Sequence, residues 1–212
     1  MIDFYSAKGS CGLASHIALE ETGAVYRYRH LNLANGEQRR PDYLRINPRG
    51  RVPALAADGV TITETIAILT YLATQIPKAD LLPLREPLNL ARGYQLMSWF
   101  ASSVHVSFAQ IVRTERFTPD PAAAVLLKEQ GKASFVSALD EMEELAKSGP
   151  WLLGDSFSVA DAYMTVFWRW GPRVDADMSR YPTLADHAER VLNRPAAMRA
   201  LEREQQALEK VP

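Results

Sequence analysis

A chain of 212 residues with one cysteine, Cys11, cannot close an internal disulfide or build a zinc site from several thiolates. Charge of one sign is also lacking. The 24 Lys and Arg stand against 25 Asp and Glu, which excludes a global field that would gather nucleic acid or an anionic membrane. No apolar run approaches the ~18–20 residues that span a bilayer. The first residues lack the basic segment, apolar stretch and cleavage site of a secretory signal. These absences point to a cytoplasmic protein with neither a nucleic-acid nor a membrane partner. Of the few histidines, His16, His30 and His187 have no ligand-type neighbours at metal spacing. They read as structural or exposed groups, and no metal is expected.

What is present suits one large domain or two small ones: 47% of residues are apolar and 23% charged. The first 77 residues mix strand-like and helical runs. MIDFY is extended, with Ile2 and Phe4 on one face. The pairs Leu13/Ile17 and Ala14/Ala18 mark a helix that Gly23 ends, and VYRYRHLNL (25–33) reads as a second strand. VPALAA and VTIT flank Asp58-Gly59, a hairpin signal, and Ile66, Leu69, Leu72 and Ala73 then take a helical period. A strand–helix–strand unit needs a parallel crossover and the hairpin adds an antiparallel edge, so a small mixed sheet with helices on its faces is expected. Pro77, Pro83 and Pro87 mark a linker. Beyond it only helical stripes recur, at 88–113, 120–147, 159–170, 183–193 and 195–210, with Pro195 opening the last. The expected organisation is an α/β domain over 1–77, a linker over 78–87 and an all-helical domain over 88–212.

Several positions carry chemistry. Cys11 stands at a strand-to-helix turn between Gly9 and Gly12. A helix N-terminus favours thiolate, and a pKa lowered to ~6.5 would make the thiol roughly 75% ionised at pH 7. A small buried hydrophobe is the plainer alternative. Ser10 and Tyr5 are nearby hydroxyls. In Thr63-Glu64-Thr65, Thr65 reads as the N-cap of a helix whose free N–H groups suit a carboxylate. Val52-Pro53 reads as a turn before a strand, where a cis bond costs little. Ser158-Val159-Ala160-Asp161 forms a capping-box variant, a folding element and not a site. His105 is a lone helical histidine, a position that most often holds a satisfied core or surface group.

Four stretches, FYSAKGSCGLASHI (4–17), INPRGRVPAL (46–55), TETIAILTYLA (63–73) and FSVADAY (157–163), resemble the cytosolic glutathione transferases. The likeness is greatest to the bacterial beta class, through Cys11 and His105. The resemblance implies a thioredoxin-like N-terminal domain with a four-stranded mixed sheet, a helical C-terminal domain and a symmetric homodimer. It implies glutathione as co-substrate and small hydrophobic electrophiles as acceptors. Val52, ahead of a cis Pro53, would pair with the cysteinyl part of glutathione. Thr65 and Glu64 would hold its γ-glutamyl end, and Ser98, Ser102 and Ser103 would add polar contacts. Cys11 and His105 would face its thiol, with Ser10 and then Tyr5 as alternative donors. Phe108, Ile111, Phe117 and Trp170 would line the acceptor pocket. The family often has an acid where this chain has Ser103, and LNLANGEQRR (31–40) lacks the lysine expected after the second strand. Either glutathione would bind more weakly here, or Arg39 or Arg51 would take that lysine's place. Within the same family, thiol–disulfide exchange through a Cys11 mixed disulfide and non-catalytic ligand binding are the alternative activities.

Overall fold

The computed structural model describes residues 1–209. In chain order its main elements are β1 (Ile2–Ser6), α1 (Gly12–Thr22), β2 (Tyr26–His30), α2 (Pro41–Leu44), β3 (Ala54–Ala57), β4 (Val60–Thr63) and α3 (Thr65–Gln75). Then follow α4 (Pro87–Trp99), α5 (His105–Val112), α6 (Pro121–Ala146), α7 (Val159–Trp170), α8 (Pro182–Leu192) and α9 (Pro195–Glu209). They form two compact units: Met1–Arg85 together with the chain from Val191 on, and Glu86–Arg190.

In the first unit the sheet order is β2-β1-β3-β4. β1 runs parallel to β2, with Phe4 opposite Tyr28, and antiparallel to β3, with Phe4 also opposite Leu55. The β3–β4 hairpin closes through Asp58 (φ 51°) and Gly59 (φ 80°), the two left-handed residues that a tight primed turn requires. β2 is shorter than the expected 25–33. Val25 is exposed, and the bond from Leu31 N–H to the Ser6 carbonyl is the last that β1 offers. α1 ends at Gly23 (φ 67°), as expected. A stripe of Leu13, Ala14, Ile17 and Ala18 understates its burial, because α3 and α9 both pack on it and Ser15, His16 and Glu20 are buried too.

α9 departs from the expected division, which placed everything from 88 onward in the helical domain. It belongs with the first unit because Ala196, Ala197 and Ala200 are buried and Arg199 and Arg203 both reach Glu20 of α1. The end of the expected 195–210 helix, and residues 210–212 of the expected domain, lie outside the described residues. Residues 78–87 are not a bare linker: Leu81 and Leu82 are buried, and α4 starts at Pro87.

The second unit is helical throughout, around Phe100, Phe135, Tyr163 and Phe167. The expected 88–113 helix is interrupted at Phe100–Val104 by a π-helical turn, in which the His105 N–H reaches the Phe100 carbonyl. The stripes at 120–147, 159–170 and 183–193 fall within a residue of α6, α7 and α8. The Ser158–Asp161 capping box is complete. Asp161 also accepts from Leu152 N–H at 2.8 Å and from buried His187 at 2.8 Å, tying the loop before α7 to α8. No helix among the described residues is long and apolar enough to cross a membrane.

Candidate active site

Three element ends meet around one sulfur in the first unit. Cys11 is the N-cap of α1. Its Sγ lies 3.9 Å from the Val52 carbonyl, to which the thiol donates, and accepts from Thr65 Oγ1 at 3.7 Å. Val52 precedes Pro53 through a cis peptide bond, and Thr65 is the first residue of α3. Of the two readings of Cys11, burial favours the neutral thiol over the ionised one. Only 6% of Cys11 is exposed, and burial pushes its pKa up to about 11. The Thr65 hydroxyl pulls the other way and the Glu64 charge adds to the rise. Loss of hydration outweighs the helix-end field.

The neighbouring hydroxyls are engaged. Ser10 Oγ accepts from Gly12 N–H at 3.2 Å and lies 3.3 Å from Ser6 Oγ, so it shapes the turn under the thiol. A Cβ on Gly12 would stand 2.0 Å from Ser6 Oγ, so that position has no room for a side chain. The half-buried Tyr5 ring packs against Tyr43 at 5.7 Å.

The start of α3 also differs from expectation by one residue. The N-cap is Glu64, not Thr65: the first helical bond runs from Ile68 N–H to the Glu64 carbonyl. Glu64 is exposed and holds φ 70°, a conformation costly for a residue with a side chain, and no side chain caps this helix end. Two groups that sequence reasoning missed hold the approach to Val52. Tyr43 Oη donates to the Arg51 carbonyl at 2.6 Å, and Asn47 Nδ2 to the same oxygen at 2.7 Å. The Asn-Pro of INPRGR was the signal: Asn47 Oδ1 accepts from Arg49 N–H, a local turn of the kind asparagine makes. Arg39 and Arg51 are both exposed.

The second unit carries the remaining expected positions. Ser98, Ser102 and Ser103 are exposed on the turns before His105, and Ser102 Oγ donates to the Ser98 carbonyl at 2.8 Å. His105 is half-buried, its ring edge-on to Trp170 with centroids 5.0 Å apart. Phe108 and Trp170 are buried and stacked 4.1 Å apart, which is core packing. Ile111 lines a cleft of about 290 Å³ with Thr114, Pro119 and Ala124, and Phe117 is 44% exposed.

Residues 2–74 match the glutathione S-transferase N-terminal domain family, and residues 127–190 the corresponding C-terminal domain family. Glutathione S-transferase GstA of Escherichia coli O157:H7 is 32% identical over 205 residues, covering 92% of this chain and 95% of its relative. The chain belongs to the glutathione S-transferase family. A glutathione transferase homologue from Sulfitobacter, solved with bound glutathione, superposes with a TM-score of 0.90 at 32% identity, covering 96% of this chain and 98% of that one. A bacterial beta class enzyme from Sphingomonas chungbukensis is 35% identical at a TM-score of 0.82, over 95% and 98% of the two chains. The thioredoxin-like first half and helical second half expected from the resemblance are thus those of this transferase family.

Proposed function

We propose that this transferase binds glutathione at the Cys11–Val52–Thr65 convergence and conjugates its thiolate to small hydrophobic electrophiles. The observation that carries the reading is the meeting of two helix N-termini and the start of a strand at one buried thiol. Val52 offers strand-like pairing to an extended peptide, as β-addition ligands use. Thr65 and the uncapped start of α3 suit the γ-glutamyl carboxylate, and exposed Glu64 suits the ammonium. Exposed Arg39 or Arg51 stands in for the family's missing lysine in holding glutathione. By the family resemblance Ser98, Ser102, Ser103 and His105 are assigned to glutathione, with His105 donating to or relaying the proton of its thiol. Ile111 and Phe117 line the acceptor side, backed by Phe108 and Trp170. The active assembly is a symmetric homodimer.

Cys11 acts in this reading as a hydrogen-bond donor to the glutathione sulfur. With its pKa near 11 only about one part in ten thousand is thiolate at pH 7, which disfavours attack on a disulfide. The test compares wild type, Cys11→Ala and His105→Ala in conjugation of an aromatic halide and in reduction of a small disulfide. Conjugation that falls in His105→Ala supports the proposal. Disulfide reduction that depends on Cys11, beside weak conjugation, replaces it with thiol–disulfide exchange. Glutathione binding without turnover makes the chain a carrier, and no binding at all removes the site.

A further inference from the structure

The face of α1 turned towards α9 is polar where helix contacts are usually apolar. His16 is wholly buried and Glu204 nearly so, and neither takes part in the candidate active site. Their hydrogens follow from their partners. Glu20 receives Arg199 Nε at 2.7 Å, Arg203 Nε at 2.7 Å and the Tyr26 hydroxyl. Burial pushes the Glu20 carboxyl up, but Tyr26 and the two guanidiniums outweigh it and hold the group below its ordinary range. Glu20 is therefore a carboxylate and only accepts. Tyr26 gives its one hydrogen to Glu20. Burial, then that bond, push its own ionisation far up, so the hydrogen stays.

The Tyr26 oxygen also lies 2.8 Å from His16 Nε2. With the tyrosine hydrogen already placed, this bond forms only if Nε2 carries a hydrogen and donates it. A neutral imidazole has one N–H, so Nδ1 is then a bare lone pair. Nδ1 faces Glu204 Oε1 at 3.5 Å, an ion-pair separation, and neither atom has a hydrogen-bond partner. Neutral His16 beside ionised Glu204 would set two acceptors against each other in a dry interior, which is costly.

We propose that one extra proton is held between His16 Nδ1 and Glu204, as imidazolium–carboxylate or imidazole–carboxylic acid, and that it latches α9 onto α1. The surrounding groups do not supply that charge another way. Arg199 and Arg203 are committed to Glu20. Phe4 packs against the imidazole and Tyr28 stacks on it 4.6 Å away, and burial keeps Tyr28 un-ionised. Burial also lowers the His30 pKa, against the pull of Glu204 and Glu37. Above about pH 7 a free imidazole is mostly neutral and a free carboxylate ionised. The docked state thus binds one proton more than the released state, and docking weakens as pH rises, by up to tenfold per pH unit. Lys8 Nζ, bonded to Gln205 Oε1 at 2.6 Å, carries the strap on to the turn before Cys11.

Two measurements on the full chain test the latch, and neither depends on what the active site binds. Nitrogen-15 NMR of the histidine rings, with His16 assigned by its loss in His16→Gln, is expected to show hydrogen on Nε2. A bare Nε2 with hydrogen on Nδ1 alone overturns the proposal. Hydrogen exchange of the 195–208 amides, corrected for intrinsic rates, is expected to lose at least tenfold protection between pH 6.5 and 9.5. Glu204→Gln, whose amide donates to Nδ1 without titrating, is expected to abolish that loss. Protection that stays constant in wild type, or falls equally in Glu204→Gln, also overturns it.

Discussion

Thr65 Oγ1 donates to Cys11 Sγ across 3.7 Å, tying the first turn of α3 to the first turn of α1. The same hydroxyl is proposed to meet the γ-glutamyl carboxylate, so sulfur and ligand compete for it. Thr65→Val is expected to weaken glutathione binding about ten- to a hundredfold, the worth of a hydrogen bond to a charged group. Thr65→Ser should bind nearly as wild type does. Calorimetric titration decides; an unchanged affinity in Thr65→Val removes the hydroxyl from the site.

The Cys11 thiol sets a pH dependence of stability. Its folded pKa is raised to about 11, so between its unfolded value and that point the unfolded chain ionises first. The stabilisation is complete below about pH 8.5 and is lost progressively as pH rises through the folded pKa. At pH 8, alkylation of the native thiol is expected to be roughly a hundredfold slower than in the urea-unfolded chain. Cys11→Ala should flatten the alkaline fall in unfolding free energy.

Asp161 is the acceptor for Leu152 N–H, Ser158 N–H, Ser158 Oγ and His187. Asp161→Ala leaves all of them buried without that partner and is expected to cost about 3–5 kcal/mol. The urea midpoint reads it. A shift corresponding to less than about 1 kcal/mol would mean that the network contributes little.

Gly131 of α6 packs directly against α5. An added Cβ would stand 2.8 Å from the Ser107 carbonyl and 2.9 Å from Gln110 Cβ. Helix propensity alone makes Gly131→Ala stabilising by up to about 1 kcal/mol, whereas overpacking costs about 1–3 kcal/mol. The expected sign is destabilisation, seen as a lower Tm.

Trp170 is buried in the core, whereas exposed Phe117 is proposed to line the acceptor pocket. Trp170→Ala empties a stacked, buried site and is expected to cost about 3–5 kcal/mol. Phe117→Ala should change stability by no more than about 0.5 kcal/mol while raising KM for an apolar electrophile. Thermal melts and steady-state kinetics on both variants check this.

The sequence made local features legible: the Asp58-Gly59 hairpin, the Gly23 stop, the Ser158–Asp161 box and the proline helix starts all follow from backbone preferences of single residues. It was less informative wherever long-range packing decides. A helix end predicts an ionised Cys11, but the cover that dehydrates it comes from segments forty and more residues away. The helical stripe at 195–210 does not reveal that Glu204 is buried against His16. The π-helical turn leaves no mark in FASSV, since its extra residue answers to packing on both sides. Tyr43 and Asn47 act through the Arg51 carbonyl, and backbone partners have no sequence signature.

The return of α9 to the first unit has a consequence for how the protein is made. A ribosome releases β1 and α1 first, yet His16 and Glu20 find Glu204, Arg199 and Arg203 only when almost two hundred further residues have been added. The earliest half of the chain is therefore the last to be finished. Its helical second unit, Glu86–Arg190, has all its own residues in hand sooner.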